Sequence, residues 1–256
     1  ADLVAYHKFN GFNDPRGGGH FSGRLTAPLC FAGAICGQIL ERRGIYTGAH
    51  IAAIHGVEDD AFSETDVSRA DILAVREKPF AVINDAQGEI MQEDIRNAGK
   101  GGESLGGLIE CALDGAPMYF PQNGAYDNTI AQLIFGIPAV KGLEFGAGFQ
   151  VAEMVGSQNN DPFYIDENGH VKTKTNHHGG ILGGISSGMP IILRVAIKPT
   201  ASIAKPQETV DFRAGTNEIL QIHGRHDPCI VPRAVPCVEA AVNLALLSHM
   251  MDYPHF

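Results

Sequence analysis

"GRHDPCIVPRAVPCVEAAVNLALLSHMM", residues 224–251, starts as a charged loop and ends as a long apolar run. The run from residue 235 onward is rich in good helix formers and predicts a closing core helix. Ahead of it, Arg225, His226, Asp227 and Arg233 fall within nine residues, among prolines that stiffen the backbone. Two arginines around one carboxylate suit an anion site that also holds a base. The competing reading is a solvated loop. His223 and His226 form an H-x-x-H, a possible metal pair. Its loop setting and the lack of a third ligand argue against that, and no metal is expected.

A weak echo of this segment stands near the other end of the chain. "GRLTAPLCFAGAICGQIL", residues 23–40, also runs Arg, then Pro, then an apolar stretch, and predicts a helix over 27–42. The echo reflects either two related halves or chance. "RGGGHFSGR" at 16–24 precedes that helix. Glycine-rich backbone at a helix N-terminus offers free N–H groups and a positive dipole end to an anion, and Arg24 adds a planar charged fork. It is not a Walker A, and Ser22 occupies the third glycine position of a dinucleotide fingerprint. "KPTAS" at 198–202 places a cation and two hydroxyls at a strand end, which also suits a phosphate or a ring edge.

Between these segments, strands are predicted over 48–58, 104–113, 142–156 and 189–200, the last closed by Pro199. Helices are predicted over 88–99 and over 127–136, with Asp127 as N-cap. Residues 1–16 read as turn-rich. The mixture lacks a βαβ rhythm, which predicts an α+β fold. "NHHGGILGGISSGMP", residues 176–190, has enough glycine for a close backbone approach. Its G-x-S-x-G around Ser186 matches a hydrolase elbow, but an elbow needs a helix directly after the serine, and here Gly188, Pro190 and a strand follow. "SIAK" at 202–205 lacks the companion motifs that would make it catalytic.

Of the 256 residues, 44% are hydrophobic and 19% charged, which fits one globular domain over 1–256. A net charge of −10 argues against general nucleic-acid binding but leaves small anionic ligands open. No apolar run reads as bilayer-spanning and no signal peptide opens the chain, so a cytoplasmic protein is expected. Five cysteines with no CxxC read mostly as small core residues in a reducing cytoplasm, rather than a disulfide or zinc framework. The opening "ADLVAYHKF" has no Met, and a processed or truncated product is expected.

Taken together, the segments resemble chorismate synthase, the last enzyme of the shikimate pathway. "RGGGHFSGRLTA" resembles the family's Gly-Gly-Arg-Ser-Ser-Ala-Arg-Glu-Thr block, and "GRHDPCIVPRAVPCVEA" its Arg-His-Asp-Pro signature. "GESLGG", "IPAVKGLEFGAGF", "GSQNND", "NHHGGILGGISSG" and "KPTASI" resemble further blocks in the same order. The resemblance implies a β-α-β sandwich and a homotetramer. It implies a lyase that removes phosphate from 5-enolpyruvylshikimate 3-phosphate with reduced FMN, NADPH serving only indirectly to reduce the flavin. It places flavin contacts on His20, Phe21, Ser22, Pro138, Ala139, Gly183, Lys198, Pro199, Thr200, Ala201, Ser202 and Arg225. It places substrate contacts on Arg24 and Arg233, and a base on Asp227. Ser186 and Ser187 then become structural or lining groups.

Two departures stand out. His20 and Phe21 replace the family's Arg and first Ser, which exchanges a cation of fixed charge for an imidazole. The family's Gly-Glu-Ser-His-Gly segment and both histidines credited with proton transfer are not in this sequence. An N-terminally incomplete form is therefore expected, with a non-catalytic remnant that folds, oligomerises and binds flavin as the alternative.

Overall fold

The computed structural model describes residues 2–118, 125–224 and 226–252. In chain order, α1 is Asp2–Lys8, α2 Thr26–Glu41, β1 Tyr46–Ile54, β2 Val57–Glu58, α3 Arg69–Arg76, α4 Asp85–Lys100, β3 Gly107–Asp114, α5 Tyr126–Phe135 and β4 Val140–Phe145. The second half gives α6 Gly156–Asn159, β5 Phe163–Ile165, β6 Val171–Thr173, β7 Ile181–Leu182, β8 Ile185–Ser186, β9 Ile191–Ile197, β10 Gln207–Asp211, β11 Thr216–Leu220 and α7 Val231–Asp252. Five strands pair in the order β2-β1-β3-β9-β4, and every pairing is antiparallel. The remaining strands form three separate hairpins. The α+β class is as the sequence predicts.

Alternation along the strands gives the sheet two buried faces. Ile51, Ile109, Cys111, Leu193 and Val195 belong to the main core, with residues of α2, α5 and α7. Ala112 and Ile192 belong to a second cluster with Phe62, Val67, Ile72 and Val75, from α3 and the segment before it. On that second side the buried His50 bridges two carboxylates. Its Nδ1 is 3.0 Å from Asp59 and its Nε2 is 3.2 Å from Glu110. Asp59 also accepts the amides of Ile83 and Asn84, and Glu110 accepts that of Phe62. The network ties the long β2–α4 segment to the sheet. Where β1 lacks a neighbouring strand, its edge amides find other acceptors. Ala49 donates to Glu239 of α7, and Ile51 donates to the Ala81 carbonyl.

The seam between α2 and α7 organises the other face. A Cβ on Gly33 would stand 2.2 Å from the Ala240 Cβ, so only glycine permits this approach. Gly37 faces Asn243 further along, and Cys30 faces Cys237 before it. The pairs advance together along both helices. The helices therefore run parallel, with both N-termini at one end of the molecule. They are also the two segments that carry the sequence echo.

Several expectations need correction. Residues 2–8 are helical, not turn-rich. The strand read over 142–156 ends at Phe145, and a 3-10 turn, Gly148–Glu153, replaces its second half. Ala125, not Asp127, precedes α5. Its helix starts early because Tyr126 is fully buried and donates its amide to Gly184, while Asp127 accepts from the next amide. Among the described residues, two segments are long and apolar enough to cross a membrane by length and composition, Gly23–Glu41 and Val231–Met251. Val231–Met251 is the core helix and is mostly buried, whereas Gly23–Glu41 is mostly exposed.

Candidate functional site

A cleft of about 650 Å³ opens where α2 and α7 begin, a size typical of small-molecule sites. On the α2 side, Gly18, Ser22, Gly23, Arg24 and Thr26 form its wall. The Ser22 hydroxyl accepts the Arg24 amide, and the Thr26 hydroxyl donates to the Gly23 carbonyl, which fixes the turn into the helix. On the α7 side, His226, Asp227, Ile230 and Arg233 complete the wall. The Arg233 Nε lies 3.1 Å from the Asp227 carboxylate. The His226 Nε2 bonds to the Ile222 carbonyl at 3.3 Å, which holds the ring in the loop. Two helix N-termini with an arginine at each create a positive end in an acidic protein.

The third wall is Thr200 and Ser202, and Ile137 and Pro138 add apolar surface. These loops are fixed from behind by residues 104 and 105. The Ser104 hydroxyl donates to the Thr200 carbonyl at 2.6 Å, and the Leu105 amide donates to the Pro228 carbonyl at 2.7 Å. "GESLGG" thus positions two loops at once. Ala139 takes a positive φ of 74° and its carbonyl accepts the Lys198 amide, which joins the Pro138 turn to the end of β9.

Of the residues expected from the sequence, Ser22, Arg24, Pro138, Thr200, Ser202, Asp227 and Arg233 line this cleft. Others do not. His20 is exposed and packs edge-on against Phe9 and tilted against Phe21, with ring centroids at 5.4 and 4.2 Å. Phe21 points into that aromatic group. Lys198 folds back on the Pro199 carbonyl, and Pro199 lines a different depression with His55 and Ser104. Ala139 and Ala201 sit behind or beside the lining residues. Gly183 lies at the β7–β8 hairpin tip with open space around it. Arg225 lies outside the described residues.

The glycines of residues 176–190 approach the protein's own backbone. A Cβ on Gly179 would meet the Gly146 nitrogen at 2.4 Å, and one on Gly180 would meet the Pro190 carbonyl at 2.4 Å. Ser186 lies in a hairpin strand and donates to the Pro117 carbonyl, while the Ser187 hydroxyl accepts the Met189 amide. No strand–serine–helix elbow forms. His177 and His178 flank Asp161. Burial alone would raise this carboxyl, but the Thr175 hydroxyl and the amides of both histidines outweigh it and hold the carboxyl low. Burial pushes His178 down toward its neutral form.

Sequence reasoning did not single out Thr26, Ile137, Ser104, Cys30 or Cys237 as parts of the site. Thr26 and Ile137 adjoin residues that were named, so proximity in sequence was an available signal. Ser104 and the cysteine pair act across 96 and 207 residues, and no local pattern shows that. Among the described residues no cluster of three or more His, Cys, Asp or Glu side chains is arranged to hold a metal.

The chorismate synthase family model matches residues 1–251. A chorismate synthase of Korarchaeum cryptofilum is 45% identical over 253 residues, which is 98% of this chain and 69% of the relative. One from Thermococcus gammatolerans is 45% identical with the same coverage, and one from Dehalococcoides mccartyi is 44% identical over 257 residues, covering 96% of this chain and 67% of the relative. Among solved structures, a crystal structure of chorismate synthase superposes with a TM-score of 0.77 at 27% identity, covering 98% of this chain and 69% of the other.

Proposed function

The chain belongs to the chorismate synthase family, whose members are chorismate-forming lyases of the shikimate pathway, and on that premise we propose how its cleft serves the reaction. The substrate is 5-enolpyruvylshikimate 3-phosphate, and the products are chorismate and phosphate. Reduced FMN is the proposed cofactor, with NADPH needed only to reduce it elsewhere. The donor set of the cleft suits such a ligand pair. Two helix N-termini, Arg24 and Arg233 suit phosphate and carboxylate groups, the hydroxyls of Thr200 and Ser202 suit a ring edge, and Ile137, Pro138 and Ile230 suit an apolar face.

Eliminating phosphate and a proton from non-adjacent carbons, with no activating carbonyl, is difficult for side chains alone. Reduced FMN, when bound, supplies electron density to the departing carbon–oxygen bond and recovers it, with no net oxidation. The protein's own contribution is placement and charge. Arg24 and the α2 N-terminus hold an anionic group at one wall. Arg233 orients the Asp227 carboxylate, whose free oxygen accepts a proton. The remaining contacts implied by the resemblance, at His20, Phe21, Ala139, Gly183, Lys198, Pro199, Ala201 and Arg225, are proposed on the resemblance alone, and the described ones among them do not line the cleft. A homotetramer is proposed as the working assembly, and exposed apolar residues of α2, Phe31 and Ile35, offer surface for it.

The observation that carries this reading is the convergence of Ser22, Arg24, Thr200, Asp227 and Arg233, distant in sequence, on one cleft. The test is anaerobic incubation of the chain with reduced FMN and 5-enolpyruvylshikimate 3-phosphate, following chorismate and released phosphate together. Equal amounts of both support the proposal. Binding of both ligands with no product would replace it with a non-catalytic binding role.

A further inference from the structure

Cys30 on α2 and Cys237 on α7 hold their sulfurs 3.6 Å apart. Three residues further along each helix, Gly33 and Ala240 form the contact that admits no Cβ. The thiols therefore sit one turn from the tightest point of the helix seam, and the backbones cannot drift apart there without opening the core. A disulfide needs its sulfurs at about 2.05 Å, so closure requires the two sulfurs to approach by about 1.5 Å. Cys237 also lines the cleft, and Cys30 is only half buried, so a small oxidant has access to the pair. The other three cysteines, Cys36, Cys111 and Cys229, are buried, and no second pair of thiols comes this close among the described residues.

We propose that Cys30 and Cys237 form a dithiol–disulfide site at the cleft, oxidised by small-molecule disulfides of the oxidised-glutathione class. One thiolate attacks the oxidant's sulfur–sulfur bond and releases a first small thiol. The second protein thiolate then displaces the other half, forming the Cys30–Cys237 bond. The two protein thiols are oxidised by two electrons, the oxidant is reduced to two thiols, and the two protons leave on them. Burial, reinforced by neighbouring Cys237, pushes the Cys30 thiol up to about 11. The reaction is accordingly slow at neutral pH and accelerates as pH rises. The new bond ties together the two helix N-termini that frame the cleft, so the oxidation state is felt where the anion binds. This site stands whether or not the cleft performs the lyase reaction.

The experiment treats the folded chain with oxidised glutathione at pH 7 and pH 9, then alkylates free thiols and maps peptides by mass spectrometry. The expected result is loss of two of the five thiols to alkylation, a Cys30–Cys237 cross-linked peptide, faster reaction at pH 9, and reversal by dithiothreitol. In Cys30→Ala the resolving thiol is gone, and glutathione should remain attached at Cys237. Retention of all five free thiols in the wild-type chain at both pH values, or a cross-link between other cysteines, would overturn the proposal.

Discussion

Asp227 is the single carboxylate lining the cleft among the described residues, and Arg233 holds it at 3.1 Å. Asparagine keeps its shape and can accept a hydrogen bond from the arginine, but it cannot take up a proton. Asp227→Asn should therefore lower chorismate formation by about 10²–10⁴-fold, the usual cost of losing a general base, with FMN and substrate affinity unchanged. If Asp227 only orders its loop, ligand affinity and melting temperature will fall in step with activity. His20 shows the limit of reading residues one at a time. Its place in a recognisable block suggested an imidazole at the anion site, yet its ring packs against Phe9 and Phe21. Phe9 lies outside the block, in a segment that read as turn, so nothing local announced the partner.

At the scale of elements, the α2–α7 seam and the β2–α4 segment each rest on one small group of residues. Gly33→Val would force a Cβ and its two methyl groups against Ala240, and should destabilise the fold by about 1–3 kcal/mol, as overpacking does. Chemical denaturation measures this, and a valine variant as stable as wild type would show that the helices separate freely. The His50 network predicts a pH dependence. Burial alone would lower the His50 pKa, but Asp59 and Glu110 outweigh it and raise it above its ordinary 6.5. Its stabilising contribution is thus full below about pH 6.5 and fades as pH rises through the higher folded value. Burial likewise opposes ionisation of Asp59, but His50 and two backbone amides hold it below 3.8. That contribution is present above 3.8 and is lost as pH falls through the lower folded value. The melting-temperature gap between wild type and His50→Gln should be widest at about pH 4 to 6.5 and shrink toward pH 9. A gap constant across that range would remove the ionic component from the network.

At the scale of the molecule, much of the framework was legible. The helices at α2, α4 and α7 follow from apolar spacing and helix formers, and the strands β1, β3 and β9 from short apolar runs between glycines and prolines. What escaped was set by tertiary contact. Strand β4 is cut short because Gly146 must meet the 177–179 backbone, and α5 begins at Tyr126 because that ring fills the core. The glycines of residues 176–190 were legible as a close approach, but their partner was the chain itself. The site was legible as two anion-friendly loops, each ahead of a helix. That the helices run parallel and bring the loops to one cleft required the seam. The measurement that tests this most directly is calorimetric titration of the chain with FMN, with NAD and with 5-enolpyruvylshikimate 3-phosphate, alongside Arg24→Ala. FMN should bind in preference to NAD, and Arg24→Ala should weaken binding of the phosphorylated substrate by about 10–100-fold, the worth of one charged hydrogen bond of about 1.5–3 kcal/mol. Tight NAD binding with none for FMN, or an unchanged substrate affinity in Arg24→Ala, would contradict the account.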